Sequence, residues 1–317
     1  MTGPAFRLGL IGAGRMGRTH LRALAGSSTV TVTAVAEPVE AARAEIAEGG
    51  RAVYAEVDEL LAAGNVDGVL IAAPTDRHLE LVSQVLAAGL PILCEKPCGY
   101  SSADLHETAA TIRARGVPFQ VAYWRRYVPA LQELRQRIER GDLGEIHLYA
   151  SSQWDGQPPS PQFRARSGGI FRDMGVHEFD QVRWLSGEEF AELDAIAGPP
   201  SPDAEAGDDP DSAQAIARLS GGASAFVSLG RYYPVGDMAR VEVFGTRDAV
   251  RRDFLDPKDG ERAQLDALAR QAEGFAAHVR GGPLTGASVD DAVAALHAAE
   301  RAAAAILREP AAAGAGT

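Results

Sequence analysis

The sequence predicts an α/β fold: an N-terminal doubly wound parallel sheet, then a C-terminal α+β domain with an open, mostly antiparallel sheet. Three observations predict it. From Phe6 to Ala122 short apolar runs alternate with helix-like segments, the pattern of parallel strands joined by crossover helices. The first of these units carries Gly12-Ala13-Gly14-Arg15-Met16-Gly17 between a strand and a helix. Beyond Arg140 strands follow one another with few helices between them, and several alternate apolar with polar residues.

The first strand is the run Phe6, Leu8, Leu10, Ile11, and the helix after the glycine turn ends near Ala25. A side chain at Gly12 or Gly14 would keep the backbone away from a pyrophosphate, and one at Gly17 would hold the helix off the strand. The helix N-terminus offers N–H groups to the phosphates. Such a turn is informative only with a strand before, a helix after and an acidic residue roughly 20 positions on. All three are present, because the run Val30, Val32, Ala34, Val35, Ala36 ends at Glu37, whose carboxylate can accept hydrogen bonds from both ribose hydroxyls of an adenosine.

Pro38 stands near the start of the next helix, which runs to Gly49-Gly50. Ala52 to Tyr54 is a short strand, Asp58 to Leu61 a small helix, and Gly68 to Ala73 a continuous apolar run of the kind found in a buried parallel strand. Leu79, Val82, Val85 and Leu86 recur at helical spacing, Pro91 to Cys94 is a strand, Ser101 to Arg115 a helix, and Gly116 to Ala122 a further strand. Residues 1–122 are thus expected to form a dinucleotide-binding Rossmann domain.

Residues 123–317 are expected to form a domain for substrate binding and oligomerisation. A helix covers Ala130 to Arg140, and strands cover Ile146 to Trp154, Glu192 to Ala197, Ala213 to Leu219, Ala223 to Tyr232, Met238 to Phe244 and Ala249 to Asp253. Ser220-Gly221-Gly222 reads as a hairpin turn, so antiparallel pairing is expected. The loop Pro199 to Asp211, rich in Pro, Asp and Gly, reads as a solvated connection with no function of its own. Two Ala-rich helices, Arg262 to Arg280 and Val289 to Leu307, carry apolar spacing that suggests packing back on the first domain, and a disordered-looking tail, Ala311 to Thr317, follows. An open sheet with one bare face exposes apolar surface unless it pairs with another subunit, which predicts a homodimer or homotetramer.

The formal charge of −12, from 43 acidic against 31 basic residues, argues against a nucleic-acid surface and for small-molecule chemistry. No run approaches the roughly 20 apolar residues of a membrane span, and Arg7 and Arg15 interrupt the N-terminal apolar stretch, so a signal peptide is not expected. Cys94 and Cys98 are spaced neither as a redox pair nor as a zinc ligand set, so no metal is expected and a cytoplasmic location is.

Ligands of open parallel sheets bind beyond the carboxyl ends of the strands. Ala73-Pro74-Thr75, Glu95-Lys96-Pro97 and Ala122-Tyr123-Trp124-Arg125-Arg126 occupy such places. A lone Lys after a strand is usually a surface charge, but Lys96 lies on a stiff turn where a cation meets the nicotinamide half of a dinucleotide. In the second domain Asp173 and His177 are four apart, neighbours on one face if the segment is helical to about Trp184. Alone, such a pair is an ordinary helix-surface contact; with a dinucleotide site and Lys96 upstream it points to catalysis. Arg126, Trp154 and Tyr233 are candidates for substrate contact, with packing as the alternative for each.

The glycine turn with His20, then Ala73-Pro74-Thr75 with His78, Glu95-Lys96-Pro97, and Gly168-Gly169 followed by Asp173 and His177 together resemble the glucose-fructose oxidoreductase, inositol dehydrogenase and rhizopine catabolism (Gfo/Idh/MocA) family. The resemblance covers nearly the whole chain in order. Arg125-Arg126-Tyr127 and Ser167 to Trp184 look most like inositol 2-dehydrogenases. It implies an NAD(P)-dependent dehydrogenase that oxidises a ring secondary alcohol of a cyclitol or sugar to the ketone, with Lys96, Asp173 and His177 as the catalytic set. It also implies cofactor contacts at Gly12, Gly14, Arg15, Met16, Gly17, Glu37, Ala73, Pro74, Thr75, His78, Glu95 and Lys96.

The chemistry agrees with that implication. A neutral imidazole at His177 can take the hydroxyl proton as hydride leaves for the nicotinamide, Asp173 can orient it, and Lys96 can stabilise alkoxide charge. A carboxylate at Glu37 repels a ribose 2′-phosphate, no Arg follows it directly and Arg43 lies along the helix, so NAD is expected before NADP. Tyr232-Tyr233-Pro234-Val235-Gly236-Asp237 departs from the Tyr-Gly-Tyr-Asp-like segment of many inositol dehydrogenases, so the polyol is open. The alternatives are a sugar dehydrogenase or reductase of the same family, and a non-catalytic dinucleotide-binding sensor, which would usually lack the catalytic residues present here.

Overall fold

The computed structural model describes residues 4–198, 209–258 and 261–306. The chain divides into two compact units, residues 1–132 with 261–294, and residues 133–260 with 295–317.

In the first unit, β1 (Phe6–Ile11), β2 (Val30–Ala36), β3 (Ala52–Tyr54), β4 (Gly68–Ile71), β5 (Ile92–Cys94) and β6 (Phe119–Val121) pair in parallel in the order β3-β2-β1-β4-β5-β6. The chain winds outward from β1 on one side and from β4 on the other, so the topological switch point lies between β1 and β4. Crossovers are made by α1 (Arg15–Ala23), α2 (Glu40–Ala47), α3 (Val57–Ala62), α4 (His78–Ala87) and α5 (Ser102–Arg115). Their ends follow local chemistry: Ser101 Oγ accepts the Asp104 N–H at 3.2 Å to cap α5, and Gly116 ends that helix at φ +63°. Every residue of β4 is buried, as its unbroken apolar run requires.

The first compact unit continues past Ala122 to residue 132, and the turn after Ala122 is anchored within it. Tyr127 hydroxyl donates to Gln120 Oε1 at 3.2 Å and lies 3.0 Å from Thr285 Oγ1. Its ring also lies against Gly274, where an added Cβ would stand 2.8 Å away. After α6 (Pro129–Glu139), the chain returns to this unit as α9 (Arg262–Val279), whose Ala272, Phe275 and Ala276 join Leu8, Leu10, Leu70 and Leu93 in one core. Phe275 packs edge-on against Phe6 at 5.9 Å, and full burial of such a ring contributes roughly 1.5–3 kcal/mol. The last helix, α10 (Val289–Ile306), begins in the first unit and ends in the second.

The second unit holds α7 (Pro161–Ser167), α8 (Val176–Ser186) and a sheet of β7 (Ile146–Trp154), β8 (Phe190–Ala197), β9 (Ser212–Leu219), β10 (Ser224–Gly230), β11 (Met238–Gly245) and β12 (Ala249–Leu255), ordered β12-β11-β7-β10-β9-β8. Ser220-Gly221-Gly222 does close the β9–β10 hairpin, with Gly222 at φ +99°. One pair departs from the antiparallel expectation: β7 and β10, at the centre, run parallel. They are joined through α7, α8, β8 and β9, a connection long enough for a crossover, whereas the hairpin-linked strands pair antiparallel. One sheet face buries Tyr149, Ala215, Val227, Val241 and Val243, while the other carries Ile196 and Ile216, each 62% exposed, and Phe244 at 42%.

Of the loop expected from Pro199 to Asp211, only Asp209 onward is described, and Leu307 and the tail Ala311 to Thr317 lie outside the described residues. Among the described residues no helix is long and apolar enough to cross a membrane.

Candidate active site

The glycine turn separates the roles of its glycines. A Cβ on Gly17 would stand 2.2 Å from the Gly12 carbonyl oxygen, so Gly17 permits α1 to pack on β1, as expected. Gly12 adopts φ +89°, and a Cβ there would stand 2.8 Å from the Ala73 backbone, so glycine is needed for the approach of two protein segments. Gly14 is exposed and a Cβ on it would meet nothing within 4 Å. Gly14 also caps α1 without a side-chain hydrogen bond, so the open space lies at a helix N-terminus, with Arg15 exposed and Met16 half-buried beside it.

Glu37 is buried at the end of β2 and clasps this turn. Its Oε2 accepts the Ala13 N–H at 2.7 Å and its Oε1 the Val39 N–H at 2.9 Å. Each carboxylate oxygen keeps capacity for a further donor, so ribose hydroxyls can still be received. Arg43, expected to lie too far along the helix to change the cofactor choice, reaches back to the backbone: its Nη1 donates to the Glu37 and Pro38 carbonyls at 2.8 and 2.7 Å. Sequence spacing measures backbone separation, and a long guanidinium side chain spans the five or six residues back to these carbonyls.

Lys96 is half-buried just beyond β5 on a turn braced from two sides. Buried Glu95 places Oε1 2.7 Å from His20 Nε2 and accepts the Lys96 N–H on Oε2 at 3.1 Å. Burial pushes the Glu95 carboxyl up, but the His20 hydrogen bond and charge, with Lys96 nearby, outweigh it and hold the group below its usual range. His78, expected at the cofactor, is buried with Nδ1 2.7 Å from the Pro97 carbonyl and Nε2 2.8 Å from that of Ala73. Both ring nitrogens meet backbone carbonyls, so His78 braces the turns at Ala73-Pro74-Thr75 and Lys96-Pro97. Burial lowers the His78 pKa, against the pull of the two carbonyls. Arg126 is buried in the same unit, with Nη1 3.2 Å from Asp291 Oδ2 and 3.4 Å from the Gly286 carbonyl.

In the second unit, the parallel β7–β10 register assembles a polar cluster at the carboxyl ends of both strands. Trp154 lies opposite Gly230, where a Cβ would stand 2.0 Å from the indole, so glycine is needed there. The indole N–H donates to Ser228 Oγ at 3.1 Å, and the Asp155 N–H to the Gly230 carbonyl at 2.9 Å. Half-buried Tyr233 donates its N–H to the Asp155 carbonyl at 2.8 Å. Burial pushes the Asp155 carboxyl up, with Asp237 and Asp173 adding to it, against the Gln153 hydrogen bond.

Asp173 lies in a π-helical turn, Phe171–Gly175, that opens α8, and His177 lies in the first turn of α8 and is buried. The helix expected through Asp173 and His177 therefore contains a wider i→i+5 turn, a feature frequent at functional sites. Asp173 Oδ2 stands 3.3 Å from Nη1 of Arg231, whose other terminal nitrogen meets Asp209 Oδ2 at 3.0 Å. Arg231, Asp209, Asp211 and Arg164 were not singled out in the sequence. A signal for Arg231 was present: Ala225, Val227 and Leu229 alternate on the buried face of β10, and the same period puts Arg231 there. The end of the Pro199 to Asp211 connection is correspondingly not a solvated link, since Asp209 and Asp211 pair with buried arginines.

The family models "Oxidoreductase family, NAD-binding Rossmann fold" and "GFO/IDH/MocA C-terminal domain" match residues 6–123 and 131–251. Over 297 residues, 94% of each chain, the sequence is 46% identical to the rhizopine catabolism protein MocA of Rhizobium meliloti. The chain belongs to the GFO/IDH/MocA family of oxidoreductases. This GFO/IDH/MocA oxidoreductase is also 32% identical to an inositol 2-dehydrogenase of Rhizobium meliloti (strain 1021), over 93% of this chain and 95% of that one. The solved myo-inositol dehydrogenase of Corynebacterium glutamicum ATCC 13032 matches with a TM-score of 0.86 and 26% identity, over 96% of this chain and 97% of that one. In this GFO/IDH/MocA chain the open space at Gly14 and the acceptor at Glu37 fit a dinucleotide's pyrophosphate and adenosine ribose. Among the described residues no group of three or more His, Cys, Asp or Glu side chains could hold a metal ion.

Proposed function

We propose that this oxidoreductase uses NAD to oxidise a ring secondary alcohol of an inositol-type cyclitol to the ketone. The observation that carries the proposal is the complete set Lys96, Asp173 and His177, each at the end of an element that holds it, in a chain that aligns almost throughout with an inositol 2-dehydrogenase. Bound NAD supplies the acceptor for the hydride that leaves the carbinol carbon. His177 takes the hydroxyl proton, Asp173 orients the imidazole and favours its charged product, and the Lys96 ammonium donates to the reacting oxygen as it gains charge. Ala73, Pro74 and Thr75 contribute cofactor contacts beyond β4, and Trp154 and Tyr233 line the polyol. Glu37 favours NAD over NADP, because a 2′-phosphate would meet its carboxylate. Free, buried Cys94 and Cys98 suit a reducing cytoplasm.

The higher identity to the rhizopine catabolism protein supports a second reading, a rhizopine-related substrate, and the loop Tyr232 to Asp237 is where the difference would be felt. A panel of myo-inositol, scyllo-inositol, glucose, xylose, galactose and a rhizopine, each with NAD and NADP and followed by NADH or NADPH absorbance, separates these readings. The highest kcat/KM is expected with an inositol and NAD, at least about tenfold above NADP, a difference of ~1.4 kcal/mol. A sugar preference overturns the cyclitol assignment.

The exposed Ile196, Ile216 and Phe244 support assembly through the open sheet face as a homodimer or homotetramer. Light scattering at micromolar concentration should give a multiple of 33.3 kDa, and Ile216→Glu should lower it. A wild-type mass of one chain overturns the proposal.

A further inference from the structure

We propose that Arg231 is a positioning residue: its guanidinium fixes the Asp173 carboxylate, and Asp209 with Arg164 fixes the guanidinium. The inference rests on the assignment of Asp173 and His177 to catalysis. Arg231 is the largest fully buried side chain among the described residues, 0% exposed, at a position where the β10 alternation calls for an apolar residue. Burying a guanidinium demands close partners, and an aliphatic side chain of similar volume is often as good for stability. The partners here are specific. Nη1 meets Asp173 Oδ2 at 3.3 Å and Nη2 meets Asp209 Oδ2 at 3.0 Å, so the planar fork bridges two carboxylates in a fixed geometry that a lysine could not reproduce fully.

Each partner is itself held. Asp209 Oδ1 accepts the Ile170 N–H at 2.8 Å, immediately before the π-helical turn that carries Asp173. Arg231 donates its own N–H to the Asp211 carbonyl at 2.8 Å, and Arg164 Nη1 donates to Asp211 Oδ1 at 2.7 Å. The end of β10, residues 209–211 and the turn before α8 are therefore locked together, and Asp173 is presented from a rigid wall. A carboxylate that must orient an imidazole needs this restraint, because its own χ rotations otherwise compete with the productive geometry.

The test uses Arg231→Met, Arg231→Lys and Asp209→Asn in the full chain, alone and combined with Asp173→Asn. The substrate is the best one of the panel above, followed as NADH formation at high enzyme concentration, with NADH affinity read by fluorescence. Arg231→Met should lower kcat about 10- to 100-fold, the range for residues that orient a first ligand, with NADH affinity within about twofold. Arg231→Lys should recover part of the loss. In the Asp173→Asn background Arg231→Met should cost less than about threefold, because its effect runs through Asp173. Equal losses in both backgrounds, or unchanged kcat in a folded Arg231→Met, overturn the proposal. If Arg231→Met does not fold, Asp209→Asn and Arg231→Lys are judged by the same coupling to Asp173→Asn. Full turnover in Asp173→Asn and His177→Ala would instead overturn the catalytic assignment itself.

Discussion

Lys96→Ala and His177→Ala should each lower kcat by at least about a hundredfold while NADH still binds. Loss of a positioned general base removes roughly 10²–10⁴ in rate, and loss of one donor to a developing oxyanion roughly 10²–10³. The turn that carries Lys96 has braces that do not involve its ammonium: His20 on Glu95, and His78 on the Pro97 carbonyl. Truncating Lys96 therefore removes the cation and leaves the turn in place, which is why cofactor affinity should survive. NADH fluorescence titration and steady-state turnover on the same preparations check this. An unaltered rate in either variant sinks the assignment, and a large loss of NADH affinity in His177→Ala would place that residue against the cofactor instead of the alcohol.

Gly14→Val and Gly17→Ala should fail in opposite ways. Gly14 has an ordinary extended backbone and faces open space, so valine there should leave thermal unfolding near the wild-type temperature. It should nevertheless weaken NADH binding about a hundredfold, ~2.7 kcal/mol, by filling the place of the pyrophosphate. Gly17→Ala puts a methyl 2.2 Å from the Gly12 carbonyl oxygen, a distance no real Cβ shows. Helix α1 must then move off β1, at about 3 kcal/mol in stability, seen as a lower unfolding temperature before any cofactor is added. Tight NADH binding by a folded Gly14→Val protein would move the phosphate site away from this turn.

Much of the fold was legible because its signals are local. The period of two in β9 to β11, the unbroken apolar β4 and the glycine spacing before α1 each report the surroundings of a short segment. Strand partners are not local, and the parallel β7–β10 pair escaped for that reason. The site was legible in the same measure. Lys96, Asp173, His177 and Glu37 stand at the ends of elements that the pattern reveals, whereas Asp209 and Asp211 lie in a stretch whose composition resembles solvated loop. The side-chain contacts of His78 and Arg43 were not legible, since which way a long or two-sided polar side chain turns depends on where the folded turns place their carbonyls.

The sequence by itself determined the two-part architecture, the glycine turn with its acidic partner, and Lys96, Asp173 and His177 as the candidates for catalysis. Only the tertiary structure decided that Gly14 is the glycine facing open space, that His78 braces two turns, and that Arg231 stands behind Asp173. For His78 and Arg231 the physical reason is the same. Burial obliges every polar group to find a partner, and the partner is chosen by packing among segments distant in sequence, which no periodicity within one segment records.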